Sequence, residues 1–144
     1  MFKKKILIPE KSSFLFYNRT TTRGDFNWKL ICLRIFLEKK GYEFHTNQKE
    51  KLSSYTYIFF TDSYDRSLLG KIRRIRYGYK AFPVLEAAIK ENLDHKIVLF
   101  LIEPESVMPW NYKISNHKSI SKIFTWREDL VDNKKYFLYL LASL

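Results

Sequence analysis

Short unbroken apolar runs along this chain alternate with longer stretches in which apolar positions recur at helical spacing. KKILI (Lys4 to Ile8), closed by Pro9, predicts a buried first strand. The polar segment NRTTTRGDFN follows, and its Asp25 or Asn27 is placed to cap a helix. In WKLICLRIFLEKKG, residues Trp28, Leu30, Ile31, Leu33, Ile35, Phe36 and Leu37 cover a wide helix face, and Gly41 stands where a C′ residue ends a helix. YEFHT (Tyr42 to Thr46) alternates with period two and predicts a second strand. YTYIFFTD (Tyr55 to Asp62) is more continuously apolar, so it predicts a central third strand. PVLEAAIKENL predicts a helix with Pro83 near its start. KIVLFLIE (Lys96 to Glu103) is the strongest strand signal in the chain. A proline-rich connection and a short NHKSIS segment lead to a fifth strand, KIFTW (Lys122 to Trp126), and the tail DNKKYFLYLLASL reads as a helix.

This alternation predicts an α/β class: one domain over 1–144, with a mostly parallel sheet of about five strands and flanking helices. In such sheets ligands bind outside the carboxyl ends of the strands. Pro9-Glu10, Thr61-Asp62, Glu103-Pro104 and Trp126-Arg127 would share that edge.

Composition narrows the class further. The chain has 144 residues, 46% apolar and 28% charged, which describes a folded domain and not a disordered tail. The single cysteine, Cys32, allows no internal disulfide, and its place in LICLRIF predicts a small buried side chain in a reducing compartment. The cytoplasm, or the inner surface of its membrane, is the expected location. No stretch approaches the ~20 apolar residues of a membrane span. MFKKKILIPE has the cations of a signal peptide but too short an apolar run.

A net charge of +11 raises nucleic acid, an anionic membrane or a phosphorylated ligand as partner. Part of that charge sits in KIRRIRYGYK, where Lys71, Arg73, Arg74, Arg76 and Lys80 would contact a polyanion or form an ordinary solvated loop.

Several chemistries lack their residues. The four glycines form neither a GxGxxG nor a GxxxxGK[ST] loop. His45, His95 and His117 are scattered without a second ligand at helical spacing, and each reads as a surface or half-buried histidine and not as a metal ligand. Glu103 differs. It ends a buried strand and precedes a proline, which holds its backbone extended beside an apolar wall. A carboxylate so placed can act as a general base. Glu103 and Glu105 can equally pair with nearby lysines or cap the next helix.

The order GYEFHT, YIFFTD and KIVLFLIEPESVMPWNYKISNHKSISKIFTWREDLVDNKKYF resembles the N-terminal half of glycosyltransferase family 10, the α-1,3/1,4-fucosyltransferases of bacteria and viruses. The likeness is carried by Glu103-Pro104, Pro109-x-Asn111, His117-Lys118, Phe124-Thr125-Trp126, Asp129-Leu130-Val131-Asp132 and Asn133-Lys134-Lys135. It is dense from Lys96 to Phe137 and weak from Lys11 to Arg23 and from Ser63 to Phe82.

The resemblance implies a Rossmann-like, acceptor-side domain, one half of a GT-B architecture, with no essential metal. It implies an inverting transfer from GDP-fucose or a related nucleotide sugar to a glycan hydroxyl, with Glu103 as base and Glu105 as second choice. Asn27, Trp28, Asp62, Asn111 and Trp126 would shape the acceptor site. The family's C-terminal donor domain has no counterpart in these 144 residues, so on this expectation the chain alone is incomplete or inactive as an enzyme. The apolar end YFLYLLASL would meet that domain or a second copy, or dock on its own sheet. The alternative is a non-catalytic basic α/β module for nucleic acid or another polyanion.

Overall fold

A computed structural model describes residues 4–9, 16–17, 28–62 and 81–139. Among them β1 (Lys4–Leu7), β2 (Tyr42–His45), β3 (Tyr57–Thr61), β4 (Ile97–Phe100), β5 (Lys122–Thr125) and β6 (Tyr136–Leu138) form one sheet in the order β2-β1-β3-β4-β5-β6. Every neighbouring pair is parallel. The two longer helices are α1 (Trp28–Lys39) and α2 (Ala81–Lys90). The fold is therefore the expected α/β class, a Rossmann-like domain, with six strands where about five were predicted.

The connections explain the layering. The step from β1 to β2 runs one way across the sheet and the step from β3 to β4 runs the other. Right-handed crossovers must then place their helices on opposite faces. Leu30 of α1 packs with Ile6, Ile8, Phe59, Val98 and Phe100, whereas Leu85 and Ala88 of α2 pack with Leu7, Ile58, Phe60, Ile97 and Leu99. Successive residues of β3 and β4 thus feed opposite cores, and so both strands read as unbroken apolar runs. Phe100 anchors one core, stacked on Phe124 at 5.1 Å and edge-on to Phe59 at 5.4 Å. The sheet's order reverses between β1 and β3, and ligands of such folds bind at the carboxyl ends beside that point.

Both helices stop on left-handed residues. Gly41 takes φ 84° and donates its N–H to Glu38 O at 2.9 Å, as its C′ position requires. After α2 the same role falls to Asn92 at φ 56°, whose neighbour Leu93 donates back to Ala88 O at 2.8 Å.

Four expectations are corrected. The tail does not begin as a helix. Tyr136–Leu138 is an edge strand paired to β5, set up by Asp132, whose Oδ1 accepts the backbone N–H groups of Lys134, Lys135 and Tyr136 at 2.8 Å. Cys32 is exposed, because Leu30 and Ile31 turn to the sheet and carry Cys32 away from it. For the same reason Trp28, Ile35 and Phe36 lie on the solvent side of α1. His117 has no exposed surface, whereas His95 is exposed and His45 half-buried. The capping candidates Asp25 and Asn27 lie outside the described residues.

Candidate functional site

β3 and β4 end level, Thr61 opposite Phe100, and the segments that leave them build the site. The last ladder contact is Asp62 N–H to Phe100 O at 2.7 Å. Beyond it, the N–H groups of Ile102 and Glu103 face the place where β3 has already turned away. Asp62 takes φ 60° there, a left-handed conformation that Asp tolerates, and its side chain stands in for the missing strand. Its Oδ1 accepts from Ile102 N–H at 2.7 Å, Glu103 N–H at 2.8 Å and Asn111 Nδ2 at 2.7 Å.

Glu103 is held on its other side as well. Its carbonyl accepts from Asn111 Nδ2 at 3.2 Å and from the Tyr112 hydroxyl at 3.1 Å. Pro104 follows, and the turn it opens closes with Val107 and Met108 N–H groups on Pro104 O at 3.0 and 2.9 Å. The Glu103 side chain itself is half-buried at the rim.

Behind this rim a polar network runs from β3 to β6. His117 Nε2 donates to the Asn111 carbonyl at 2.7 Å, which places the ring proton on Nε2 and leaves Nδ1 to accept the Tyr136 hydroxyl at 2.9 Å. Lys135 Nζ donates to His117 O at 2.6 Å. Burial holds the His117 pKa below its ordinary value. The Asn111 carbonyl opposes that shift and Lys135 reinforces it. Burial also raises the Asp62 pKa. Its three hydrogen bonds pull the other way, and the nearby Glu103 charge adds to the rise.

The neighbouring wall is aromatic and cationic. The Arg127 guanidinium sits 5.2 Å from the centre of the Tyr112 ring, and Trp126 meets that ring edge-on at 6.3 Å. Trp126 Nε1 is buried against this wall. Arg127 donates to Glu105 at 2.9 Å and to Asp129 at 3.0 Å.

The structure brings Asp62, Glu103, Asn111 and Trp126 to one edge. Asn111 has no exposed surface, so it cannot line an acceptor site by contact; it acts through Asp62 and Glu103. Glu105 is 60% exposed and spent on Arg127, the ion-pair role open to it from the sequence. Trp28 begins α1 and is exposed. Asn27 lies outside the described residues, as do Lys71, Arg73, Arg74, Arg76 and Lys80. Among the described residues, no group of three or more His, Cys, Asp or Glu side chains is placed to hold a metal ion, and no helix is long and apolar enough to cross a membrane. Tyr112, Tyr136 and the burial of His117 were not foreseen. His117 meets partners 6 and 19 residues away, a distance no local periodicity reports.

Comparison of the chain with protein-family models, with curated proteins and with solved structures finds no match.

Proposed function

We propose that this chain is the acceptor-side domain of an inverting, fucosyltransferase-like glycosyltransferase, with Glu103 as the base for the acceptor hydroxyl. The observation that supports it is the double anchoring of Glu103, whose N–H is held by Asp62 and whose carbonyl is held by Asn111 and Tyr112. A general base must stay within hydrogen-bond reach of the proton it removes, and a clamped main chain at the carboxyl edge of a parallel sheet meets that demand.

On this reading the Glu103 carboxylate takes the hydroxyl proton as the acceptor oxygen attacks the anomeric carbon. The bond from that carbon to the nucleoside diphosphate breaks on the opposite face, and its electron pair leaves with the diphosphate. One displacement inverts the centre. GDP-fucose or a related nucleotide sugar would be held by a donor domain, and the half-buried Trp126 ring offers a surface for the acceptor sugar.

Two measurements test it. The chain titrated with a panel of oligosaccharides should show binding by ligand-observed NMR. In the chain joined to a donor domain, Glu103→Gln should cut turnover by roughly 10²- to 10⁴-fold while donor affinity stays unchanged. Retained turnover would sink the assignment. Salt-sensitive binding of nucleic acid without any oligosaccharide binding would favour the polyanion module.

A further inference from the structure

A helix packed on a sheet ordinarily carries one apolar stripe and a polar back. α1 carries two apolar faces. Leu30 and Ile31 are buried, and Leu33 and Leu37 half-buried, on the sheet side. Trp28 is 41% exposed, Ile35 36% and Phe36 56%, and Cys32 is exposed with them. At the helical rotation per residue these four, together with Lys39, fall within about 100° of arc on the side away from the core.

Cations frame this outer stripe. Lys39 is exposed within it, and exposed Lys40 sets its ammonium 5.6 Å from the centre of the Phe36 ring. Lys29 does not join them, since its ammonium lies 5.9 Å from the centre of the Tyr139 ring. The carboxylate of the helix, Glu38, is taken up at 2.7 and 2.9 Å by Arg34 on the opposite flank. The charge that an approaching surface meets is therefore positive.

We propose that the outer face of α1 lies on an anionic lipid bilayer surface. Trp28, Ile35 and Phe36 enter the boundary between headgroups and acyl chains, and Lys39 and Lys40 meet the headgroups. Charge selects this occupant. A second copy would bring another +11 against the same lysines. An uncharged apolar partner would bury Lys39, which sits inside the stripe, without a counter-charge. An anionic bilayer takes both the apolar side chains and the ammonium groups, whose stems run along the apolar surface. This docking is independent of the sugar-transfer reading.

Cys32 makes the test specific to this face, because it is the single cysteine of the chain and stands exposed within the stripe. The chain carrying an environment-sensitive thiol dye on Cys32, and the unlabelled chain beside it, are mixed with vesicles rich in phosphatidylglycerol or made of phosphatidylcholine alone. Both forms should sediment with the anionic vesicles, the dye emission should shift to the blue, and added salt should weaken the binding. Phe36→Ser should lower affinity for the anionic vesicles by roughly tenfold with an unchanged circular dichroism spectrum, since the ring is more than half exposed. Absence of sedimentation overturns the proposal. So does sedimentation without a dye shift and without sensitivity to Phe36→Ser, which would place the contact elsewhere. A blue shift that grows with protein concentration in the absence of vesicles would assign the face to a second copy instead.

Discussion

The backbone N–H of Glu103 donates to Oδ1 of Asp62 at 2.8 Å, so the carboxylate at the tip of β3 sets the position of the carboxylate at the tip of β4. That same oxygen also holds Ile102 and Asn111, and Asn111 in turn reaches the Glu103 carbonyl. A change at any of these residues is therefore felt at Glu103.

Asp62→Ala should cost about 3 kcal/mol, because it takes the acceptor from two backbone N–H groups and leaves the fully buried Asn111 amide only its longer bond to the Glu103 carbonyl. Asp62→Asn keeps an acceptor oxygen and buries no charge, so it should cost far less. The pH dependence has a definite sign. The folded pKa of Asp62 lies above 3.8, so its contribution is present below 3.8 and is lost as pH rises through the raised value. The stability difference should thus shift in favour of Asp62→Asn as pH rises from 4 toward 7. Urea unfolding across that range measures it.

His117 acts in the opposite direction. Its folded pKa lies below 6.5, so its contribution is complete above 6.5 and is lost as pH falls through the lowered value. Protonated Nδ1 can no longer accept the Tyr136 hydroxyl, and the new charge faces Lys135. Stability should therefore fall below pH 6.5. His117→Gln should flatten that acid limb while costing about 1–3 kcal/mol at pH 7.5. Urea midpoints for both proteins from pH 5 to 8 decide the point, and a wild-type curve flat over this range would refute it.

Glu103→Gln should stay folded with a cooperative thermal transition, since the main-chain bonds that anchor that residue do not involve its carboxylate. Glu105→Gln should change neither the midpoint nor turnover, because its exposed pair with Arg127 is worth little in water. Scanning calorimetry with parallel turnover assays separates these outcomes. A loss of turnover confined to Glu105→Gln would move the base to that residue.

Gly41→Ala should destabilise the chain by about 1 kcal/mol. A Cβ there would meet nothing within 4 Å, so the cost is that of holding φ at 84°, and Gly41→Asn should cost less. Denaturant unfolding of the three proteins ranks them.

Much of the sheet was legible because its signals are local. Residues 56–60 and 97–102 read as central strands since both faces of those strands are covered, and Gly41 announced the end of α1 through its backbone freedom. Tyr136–Leu138 was misread because a run this short has the same apolar character in a helix or a strand; pairing with β5 decides it. The core face of α1 was drawn too wide, since its pattern is apolar nearly all round and only docking on the sheet selects Leu30 and Ile31.

The candidate site divides in the same way. Glu103 could be picked out from the sequence because an apolar run ending in Glu-Pro places a carboxylate at a strand terminus with its backbone restrained. That Asp62 is its clamp, Asn111 a fully buried strut, Glu105 an exposed ion-pair partner and His117 a buried link to Tyr136 followed only from the tertiary structure. The chain by itself determined five of the six strands and where their carboxylates fall, through periodicity and backbone restriction over a few residues. The fold decided which polar groups meet, because the hydrogen bonds at this site join residues up to 49 positions apart, brought together only where the segments leaving β3 and β4 lie side by side.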